Sequence, residues 1–321
     1  MLECFWVDRD VESFMIQGTG ITLKGRYTII ADSLVSPVNM LSIDVEDWFH
    51  IIGLPSTPPL ERWTHLESRV EANTLSLLNL MERHHTRGTF FVLGWVAQHF
   101  PDLIKEIERR GHEIGTHGYN HIPVNSLTPE KFRRDVGRSL DCLSKTVKKP
   151  IRGYRAPGFS LSRTEAWAWD ILLELGLQYD SSLFGIKPTE LAGKSGFQTI
   201  AWMPTPHGAR ILEAPLIALP FMGQSLYFFG GGYMRLTPYK LIASGIRHLN
   251  RAGESAMVYL HPRELDTLQP RLPMNPLRRF MCYVNLRTTS DKMEHLLSEF
   301  RFESIGRMID SQLKSDTVHL K

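Results

Sequence analysis

Apolar segments of strand length alternate with amphipathic segments of helix length from about residue 40 to residue 260, and this alternation constrains the fold most. Residues 41–43, 88–93, 112–116, 151–154, 177–180 and 255–260 have the composition of buried strands. Between the first two, Val70, Thr74, Leu77, Leu78 and Met81 fall on one helical face. Strands alternating with helices predict parallel βα units, and 321 residues suit a single α/β barrel.

Local signals place several helix ends. Thr128 and Pro129 are expected to open one helix, and Ser162 with Glu165 has the spacing of a capping box for the next. Gly176 is expected to end that second helix. Residues 185–235 are less regular, which predicts long loops with hairpin strands.

Composition excludes several classes of protein. The formal net charge is +3, with basic residues interleaved with Glu, so no nucleic-acid partner is expected. Cys4, Cys142 and Cys282 are widely spaced, which argues against a disulfide framework or a thiolate metal site. Neither a signal peptide nor a transmembrane run is recognisable, so the chain as written is expected in the cytoplasm.

Charged and titratable side chains recur at one kind of position in the predicted fold. Each of the following comes at or just after the carboxyl end of a predicted strand: Asp44, Glu46, His117, Arg155, Asp180 and His261. In a βα barrel these ends converge on one face. Each residue taken alone also has a purely structural explanation: Asp44 could cap a helix, Asp180 could form a turn and His261 could be packed in the core. Together they predict one cleft.

His117 and His121 are spaced to bind one metal ion, although two such histidines are often only a helix surface. The carboxylates of Asp44, Glu46 and Asp47 follow another strand and could complete the site. Two histidines with one carboxylate would leave coordination positions open for catalysis. His50 lies close enough in sequence to be a candidate for substrate contact.

Eight motifs occur in order along the chain. They are DVEDWF (44–49), TFFVLGWVA (89–97), HExxxHGYxH (112–121), GYRAPxFS (153–160), YDSS (179–182), GGGYxR (230–235), HPxE (261–264) and YVNL (283–286). On these motifs residues 40–310 resemble the polysaccharide deacetylases of the NodB-homology superfamily, carbohydrate esterase family 4. More narrowly, they resemble the subgroup associated with exopolysaccharide and exosortase loci.

The resemblance implies a distorted (β/α)7 barrel and a metal-dependent hydrolase that removes acetyl groups from N-acetylated sugars. It implies a deacetylase barrel at residues 40–265 and a C-terminal extension at 266–321 packed on it. Residues 1–39 precede the resemblance, so we expect either a mis-assigned start before Met40 or a small hairpin from residues 20–23 and 27–30.

The family motif has adjacent aspartates, a general base followed by a metal ligand. Alignment places Asp44 at the base position and Val45, which cannot ligate, at the metal position. Relatives with an Asp-x-Asp variant imply that Glu46 is the ligand beside His117 and His121, and strand alternation agrees because residues two apart share a face. Asp47 is the alternative ligand. The expected cofactor is a divalent metal, with zinc the first choice.

The remaining roles also follow from the resemblance. Arg155 is expected to pair with Asp44, and His261 to act as general acid, with Asp180 hydrogen-bonded to its other ring nitrogen and raising its pKa. A backbone amide just after Pro157 would help to form the oxyanion site, and Gly158 would let substrate approach. Trp48, Tyr119, Phe159 and Leu260 are candidates for walls of the sugar site, as is Trp95, for which a place in the core is the alternative.

The first functional hypothesis is an N-deacetylase acting on N-acetylhexosamine units of a polysaccharide or oligosaccharide, or of its lipid-linked precursor. An allantoinase-like cyclic-amide hydrolase on the same barrel is the second. A non-catalytic glycan-binding protein is the third, and it is disfavoured because the base, acid and ligand positions are all chemically competent. The oligomeric state is not defined by sequence.

Overall fold

The computed structural model describes residues 13–15, 22–24, 37–186, 200–221, 224–226 and 228–319. The chain divides into two units, residues 1–36 and 37–321. In the first unit, strands β1 (Ser13–Met15) and β2 (Thr22–Lys24) pair antiparallel. The hairpin expected from residues 20–23 and 27–30 is therefore correct only in part, because β2 pairs with 13–15, and 27–30 lie outside the described residues.

The second unit contains the remaining strands. They are β3 (Val38–Val45), β4 (Thr89–Val92), β5 (Glu113–Thr116), β6 (Gly153–Tyr154), β7 (Tyr179–Asp180), β8 (Phe184–Ile186), β9 (Ala201–Pro204), β10 (Arg210–Glu213), β11 (Leu216–Ile217), β12 (Leu219–Phe221), β13 (Gln224–Leu226), β14 (Met257–Leu260) and β15 (Arg301–Glu303).

The helices alternate with these strands. They are α1 (Val70–Arg83), α2 (Gly94–His99), α3 (Pro101–Arg109), α4 (Pro129–Ser144), α5 (Trp167–Glu174), α6 (Gly231–Leu236), α7 (Tyr239–Arg251), α8 (Pro276–Tyr283), α9 (Thr289–Glu299) and α10 (Ile305–His319).

Seven parallel strands form the centre of the fold, in the order β14–β3–β4–β5–β6–β7–β10. This confirms the predicted parallel α/β architecture. Strand β9 adds antiparallel to β10, and β15 pairs parallel with the first residues of β3. The last seven residues of β3 are buried, as a parallel strand covered on both faces requires. Their packing therefore fixes the point at which Asp44 reaches the end of the sheet.

Local sequence signals predicted the capping residues correctly but not always the residue at which a helix begins. The Thr128 hydroxyl accepts a hydrogen bond from the Lys131 amide at 3.4 Å and opens α4 as expected. The Ser162–Glu165 capping box is present, but it caps the single 3-10 turn Arg163–Glu165, and α5 begins only at Trp167. Residues 201–226 supply five of the short strands, and β9 with β10 and β12 with β13 pair antiparallel, in agreement with the expected hairpins.

The C-terminal segment is joined to the central sheet. Strand β15 lies beside β3, and Ile305 and Ile309 at the start of α10 are buried against it. Arg152 before β6 forms a two-pronged ion pair with Asp310, with nitrogen–oxygen distances of 2.7 and 3.0 Å. None of the described helices combines the length and the apolar character needed to cross a bilayer.

Two glycines provide a matched test of the packing behind the site. A Cβ on Gly153 in β6 would lie 2.2 Å from Cζ of the fully buried Tyr179 ring, whereas one on Gly137 in α4 meets nothing within 4 Å. Gly153→Ala should lower the free energy of unfolding by about 1–3 kcal/mol through overpacking. Gly137→Ala should raise it by about 0.5–1 kcal/mol through helix propensity. Urea unfolding measures both, and equal effects of the two substitutions would contradict this packing.

Candidate metal centre

The strand ends bring the expected polar side chains to one face. Asp44 is the last residue but one of β3, His117 directly follows β5, Arg155 directly follows β6 and His261 directly follows β14. Glu46, one residue beyond β3, joins them. All five are largely withdrawn from solvent, with only the His261 side chain partly exposed. The barrel therefore gathers these groups into one buried cluster that opens at His261.

One oxygen of Glu46 lies at the centre of the histidines. Its Oε1 is 2.9 Å from His121 Nε2, 3.2 Å from His117 Nε2 and 3.6 Å from His261 Nε2. Burial alone would raise the pKa of the Glu46 carboxyl, yet the imidazoles of His121 and His261 and a hydrogen bond from His117 hold it well below its usual range. The Glu46 carboxylate is consequently ionised and able to bind a cation.

The donor atoms fit a divalent metal. His117 Nδ1 lies 2.8 Å from the Arg155 carbonyl, which only accepts, so in the neutral ring Nε2 carries a lone pair directed at the Glu46 oxygen. Two such electron-rich atoms need a proton or a cation between them. In the part of the chain described, Nδ1 of the buried His121 has no hydrogen-bond partner, and its Nε2 faces Glu46 Oε1 at 2.9 Å. One carboxylate and two imidazoles with a free side are the ligand set of catalytic zinc sites.

Charge around His117 supports this fit. Burial lowers the pKa of the His117 imidazole, but the carboxylates of Asp44 and Glu46 and the hydrogen bonds to Glu46 and the Arg155 carbonyl raise it above its ordinary value overall. A site that draws a proton onto a buried histidine also stabilises a metal cation there. One potential ligand atom from each of Glu46, His117 and His121 lies within 4.8 Å of the other two.

Asp47, the alternative ligand, is directed elsewhere. Its Oδ2 accepts hydrogen bonds from Ser68 Oγ at 2.6 Å and from the amides of Arg69 at 2.9 Å and Val70 at 3.2 Å, at the start of α1. Its Oδ1 accepts from the Trp48 amide at 2.8 Å. Both oxygens are thus used to cap backbone, and the geometry favours Glu46 over Asp47.

A backbone turn places His121 opposite His117. Gly118 has φ +73°, and Asp135 of α4 fills the space where a Cβ would lie, 2.7 Å from the Asp135 Oδ2. The same carboxylate accepts hydrogen bonds from the amides of Tyr119 at 2.8 Å and Asn120 at 3.0 Å. His121 itself has φ +56°, which is strained for a residue other than glycine. Asp135 therefore holds the loop in the form that points His121 at Glu46.

Asp44 is paired as expected. Arg155, fully buried, donates from Nη1 to Asp44 Oδ1 at 2.9 Å and to Ser42 Oγ at 2.8 Å. Its Nε donates to the Ser181 carbonyl at 3.0 Å, and its guanidinium lies over the Phe91 ring. These contacts leave the guanidinium one orientation, so it fixes the Asp44 carboxylate beside the histidines.

His261 is held by a residue that sequence reasoning missed. Its Nδ1 lies 2.8 Å from Oε1 of Glu264, three residues on, and the other Glu264 oxygen forms an ion pair with buried Arg235. Arg235 in turn donates to the carbonyls of Met281 at 2.7 Å and Val284 at 3.0 Å. The HPxE and GGGYxR motifs contain both residues, and the i, i+3 spacing of His261 and Glu264 was the available signal.

The expected contact between Asp180 and His261 is wrong. Asp180 accepts hydrogen bonds from Trp169 Nε1 at 2.9 Å and the Ser181 amide at 2.8 Å, and it also contacts the Ser182 hydroxyl. Burial raises the pKa of Asp180, and burial followed by repulsion from Asp180 raises that of Glu213 further. Asp180 therefore belongs to a carboxyl pair on the far side of Arg155.

The expected rise in the pKa of His261 is also wrong. Burial, reinforced by the charges of Arg263 and His117, lowers that pKa to about 4, although Glu46 and Asp44 act in the opposite direction. The imidazole is thus a weak base and, once protonated, a strong acid.

Several expected wall residues lie in the core instead. Tyr119 is buried, and its hydroxyl contacts Gln98 at 2.8 Å and Arg138 at 2.8 Å. Leu260 is fully buried, and Trp48 turns its ring nitrogen to the Glu67 carbonyl at 3.0 Å. Trp95, for which the core was the alternative, is buried there. An apolar residue that follows a strand end packs inward whenever a helix covers that side, which sequence alone does not reveal.

His50 is likewise removed from any substrate surface. It is fully buried, its Nδ1 accepts the Asp47 amide at 2.9 Å, and its ring packs against Phe49, Trp63 and Trp95.

The segment after β6 stays at the surface of the site. Pro157 is buried, Gly158 is exposed with φ +61°, and half-buried Phe159 with φ +54° packs edge-on against Tyr259. The positive φ favours glycine at 158, and a Cβ there would also displace the tip of the Ile52 side chain. These residues remain the candidates for contact with substrate.

Comparison with known families agrees with this geometry. Residues 65–179 match the family model described as polysaccharide deacetylase, and residues 181–310 match a model described as a domain of unknown function, DUF3473. The chain therefore contains a segment that matches polysaccharide deacetylases, followed by a segment that matches DUF3473. His117, His121 and Arg155 lie in the first segment, and Arg235, His261 and Glu264 lie in the second.

Curated relatives match about a third of the chain. A peptidoglycan-N-acetylglucosamine deacetylase of Bacillus cereus is 30% identical over 108 residues, covering 30% of this chain and 50% of that protein. A peptidoglycan deacetylase of Helicobacter pylori is 31% identical over 107 residues, covering 33% of this chain and 36% of that protein. The chain thus spans half or less of the length of these relatives.

A solved structure matches most of the fold. The crystal structure of a Mycobacterium smegmatis protein assigned as a polysaccharide deacetylase superposes with a TM-score of 0.58 and 16% identity, covering 88% of this chain and 92% of that one. The likeness confirms the predicted fold, a distorted (β/α)7 barrel of the NodB-homology type.

Paired substitutions separate ligand from cap. Glu46→Gln should abolish stoichiometric zinc binding because it removes the anionic oxygen between His117 and His121, while the fold persists. Asp47→Ala should retain zinc but lower the free energy of unfolding by about 1–2 kcal/mol through loss of the α1 cap. Elemental analysis and urea unfolding of both variants measure this. Zinc lost only in Asp47→Ala would reverse the assignment.

Proposed function

We propose that this protein is a metal-dependent hydrolase that removes N-acetyl groups from N-acetylhexosamine units of a polysaccharide, with zinc as the expected metal. The observation that carries the proposal is the convergence of Glu46, His117 and His121 with a carboxylate and an imidazole, Asp44 and His261, on the same face. A metal-binding set flanked by one base and one acid is what amide hydrolysis requires.

Asp44 is the proposed general base. A divalent metal, when bound, lowers the pKa of water and polarises the amide carbonyl. Asp44 then takes the proton of the attacking water on its Oδ2, because Oδ1 is held by Arg155 at 2.9 Å. The buried guanidinium holds Asp44 in one orientation, so the carboxylate needs no rearrangement during the reaction.

His261 is the proposed general acid. The amine is a poor leaving group unless its nitrogen is protonated as the carbon–nitrogen bond breaks. Nδ1 of His261 is directed to Glu264, which leaves Nε2 on the side of Glu46 to donate the proton. The Glu264 carboxylate fixes the ring through Nδ1, Arg235 holds Glu264 in place, and the low pKa of about 4 makes the protonated ring a strong acid toward the amine.

The substrate class rests on the deacetylase domain and the motifs. The relatives named above are peptidoglycan deacetylases, which supports an N-acetylated glycan as substrate. Among glycans we propose an exopolysaccharide, because the order of motifs from DVEDWF to YVNL resembles the subgroup of exopolysaccharide loci. The exposed Gly158 and Phe159 segment is where the sugar ring would lie.

Acetate release tests the base directly. Asp44→Asn should lower kcat for acetate release from acetylated chitooligosaccharides by about 10²–10⁴, the usual contribution of general acid–base catalysis. Zinc content should remain close to that of the unsubstituted protein because Asp44 is not a proposed ligand, whereas thermal stability should fall because the buried Arg155 loses its counter-charge, so kcat is compared at a temperature where both proteins are folded. Unchanged acetate release in this variant would contradict the mechanism.

Leaving-group dependence tests the positioning role of Glu264. Glu264→Gln should lower kcat on the acetylated amide about 100-fold while leaving KM within a factor of about three, because His261 is no longer held for donation. Hydrolysis of 4-nitrophenyl acetate should change little, since its leaving group departs without protonation. Glu264→Asp, which keeps the charge, should recover part of the amide activity.

A merely structural role would lower both reactions equally. Equal loss on the amide and the aryl ester would therefore exclude Glu264 from the positioning of His261.

A further inference from the structure

Helix α8 presents large apolar and basic side chains to solvent side by side. Leu277 is 74% exposed and Phe280 is 51% exposed, and Arg278 and Arg279 between them are exposed as well. We call these four residues the α8 face. Leu268, shortly before the helix, is 81% exposed. Isolated exposed leucines are ordinary, but large apolar side chains flanking two arginines on one short helix mark an interaction surface.

The charge of this segment has one sign. Between Asp266 and Asp291 the chain contains Arg271, Arg278, Arg279 and Arg287 and no acidic residue. Within the described part of the chain, none of these four arginines forms an ion pair; Arg278 donates to the Ile52 carbonyl at 3.0 Å, and Arg271 lies over the Tyr283 ring. By contrast, Arg83 of α1, Arg109 of α3 and Arg133 of α4 are exposed and each form an ion pair with a glutamate. The α8 segment therefore leaves its positive charge uncompensated.

This combination fits one kind of partner. Unpaired arginines are attracted to an anionic surface, and exposed Leu and Phe gain free energy by leaving water. The interface of a bilayer with anionic headgroups satisfies both at once, whereas a soluble acidic glycan satisfies only the charge. Anchors of this type lie in the plane of the membrane and need no spanning helix.

The α8 face also adjoins the proposed active site. Arg278 donates to the Ile52 carbonyl, and the Ile52 side chain lies against Gly158, the exposed glycine of the site. On its other side α8 packs on α6 through the Arg235 guanidinium, which holds Glu264 and thereby His261. A surface that binds the α8 face thus lies next to the opening of the site.

We propose that the α8 face docks the protein on an anionic lipid bilayer. Docking places the site beside glycan chains attached to that surface, and it requires no change in the chemistry of Asp44 or His261. The inference goes beyond the proposed reaction and stands independently of it, because lipid binding is measured without turnover.

Flotation with vesicles tests the docking. The full-length protein should float with vesicles of phosphatidylcholine and phosphatidylglycerol and not with vesicles of phosphatidylcholine alone. Arg278→Gln with Arg279→Gln should lower the vesicle partition coefficient about 30-fold, since each basic residue near an anionic surface contributes roughly fivefold. Phe280→Ser should also lower it, because the apolar contribution is lost.

A matched control uses exposed basic residues on α4. Lys131→Gln with Arg134→Gln removes the same charge from another face and should leave vesicle binding within about twofold. Acetate release from a soluble oligosaccharide should be unchanged in Arg279→Gln alone, because it is Arg278 and not Arg279 that bonds Ile52 beside the site, and this separates the proposal from failure of the proposed reaction.

Three results would overturn the proposal. One is no binding to the anionic vesicles; another is equal loss of binding in the α4 control. The third is binding to a soluble acidic polysaccharide, or self-association through the α8 face, in place of binding to vesicles.

Discussion

The compensation of buried charge at the ends of the parallel strands is the constraint on which the rest of the structure depends. Asp44, Glu46 and Arg155 are almost completely buried, and an isolated buried ion costs several kcal/mol even after relaxation. Asp44 is neutralised by Arg155, whereas the described residues around the Glu46 carboxylate are imidazoles. The protein therefore keeps a buried carboxylate in a place where a cation completes the balance, which is the physical basis for the proposed metal centre.

The site is assembled from three parts of the chain. Asp44 and Glu46 precede both family matches, the first match supplies His117, His121 and Arg155, and the DUF3473 region supplies Arg235, His261 and Glu264. The last of these regions does more than cover the sheet. The carbonyls of Met281 and Val284 hold Arg235, Arg235 holds Glu264, and Glu264 holds His261. The proposed acid is thereby tied to the C-terminal helices.

Sequence predicted the parts of this site that depend on strand direction. Residues just after parallel strands must meet at one edge, so Asp44, His117, Arg155 and His261 were placed together correctly. Sequence alone could not decide whether Glu46 or Asp47 is the ligand. The two carboxylates are distinguished by the backbone amides that Asp47 reaches, and those amides belong to the start of α1, a separate segment of the chain. Tyr119 and Leu260 were misplaced for a similar reason, since helices yet to be positioned cover them. The partner of His261 was misassigned to a strand end, although a residue three positions away was nearer.

We propose that this site hydrolyses an acetamide by means of one bound divalent metal. The most direct measurement is acetate release from acetylated chitooligosaccharides by protein stripped of metal and then titrated with zinc. The account predicts no acetate release from the stripped protein and a recovery that is complete at one equivalent of zinc. Acetate release that persists in the stripped protein at the rate of the zinc-loaded form would contradict it.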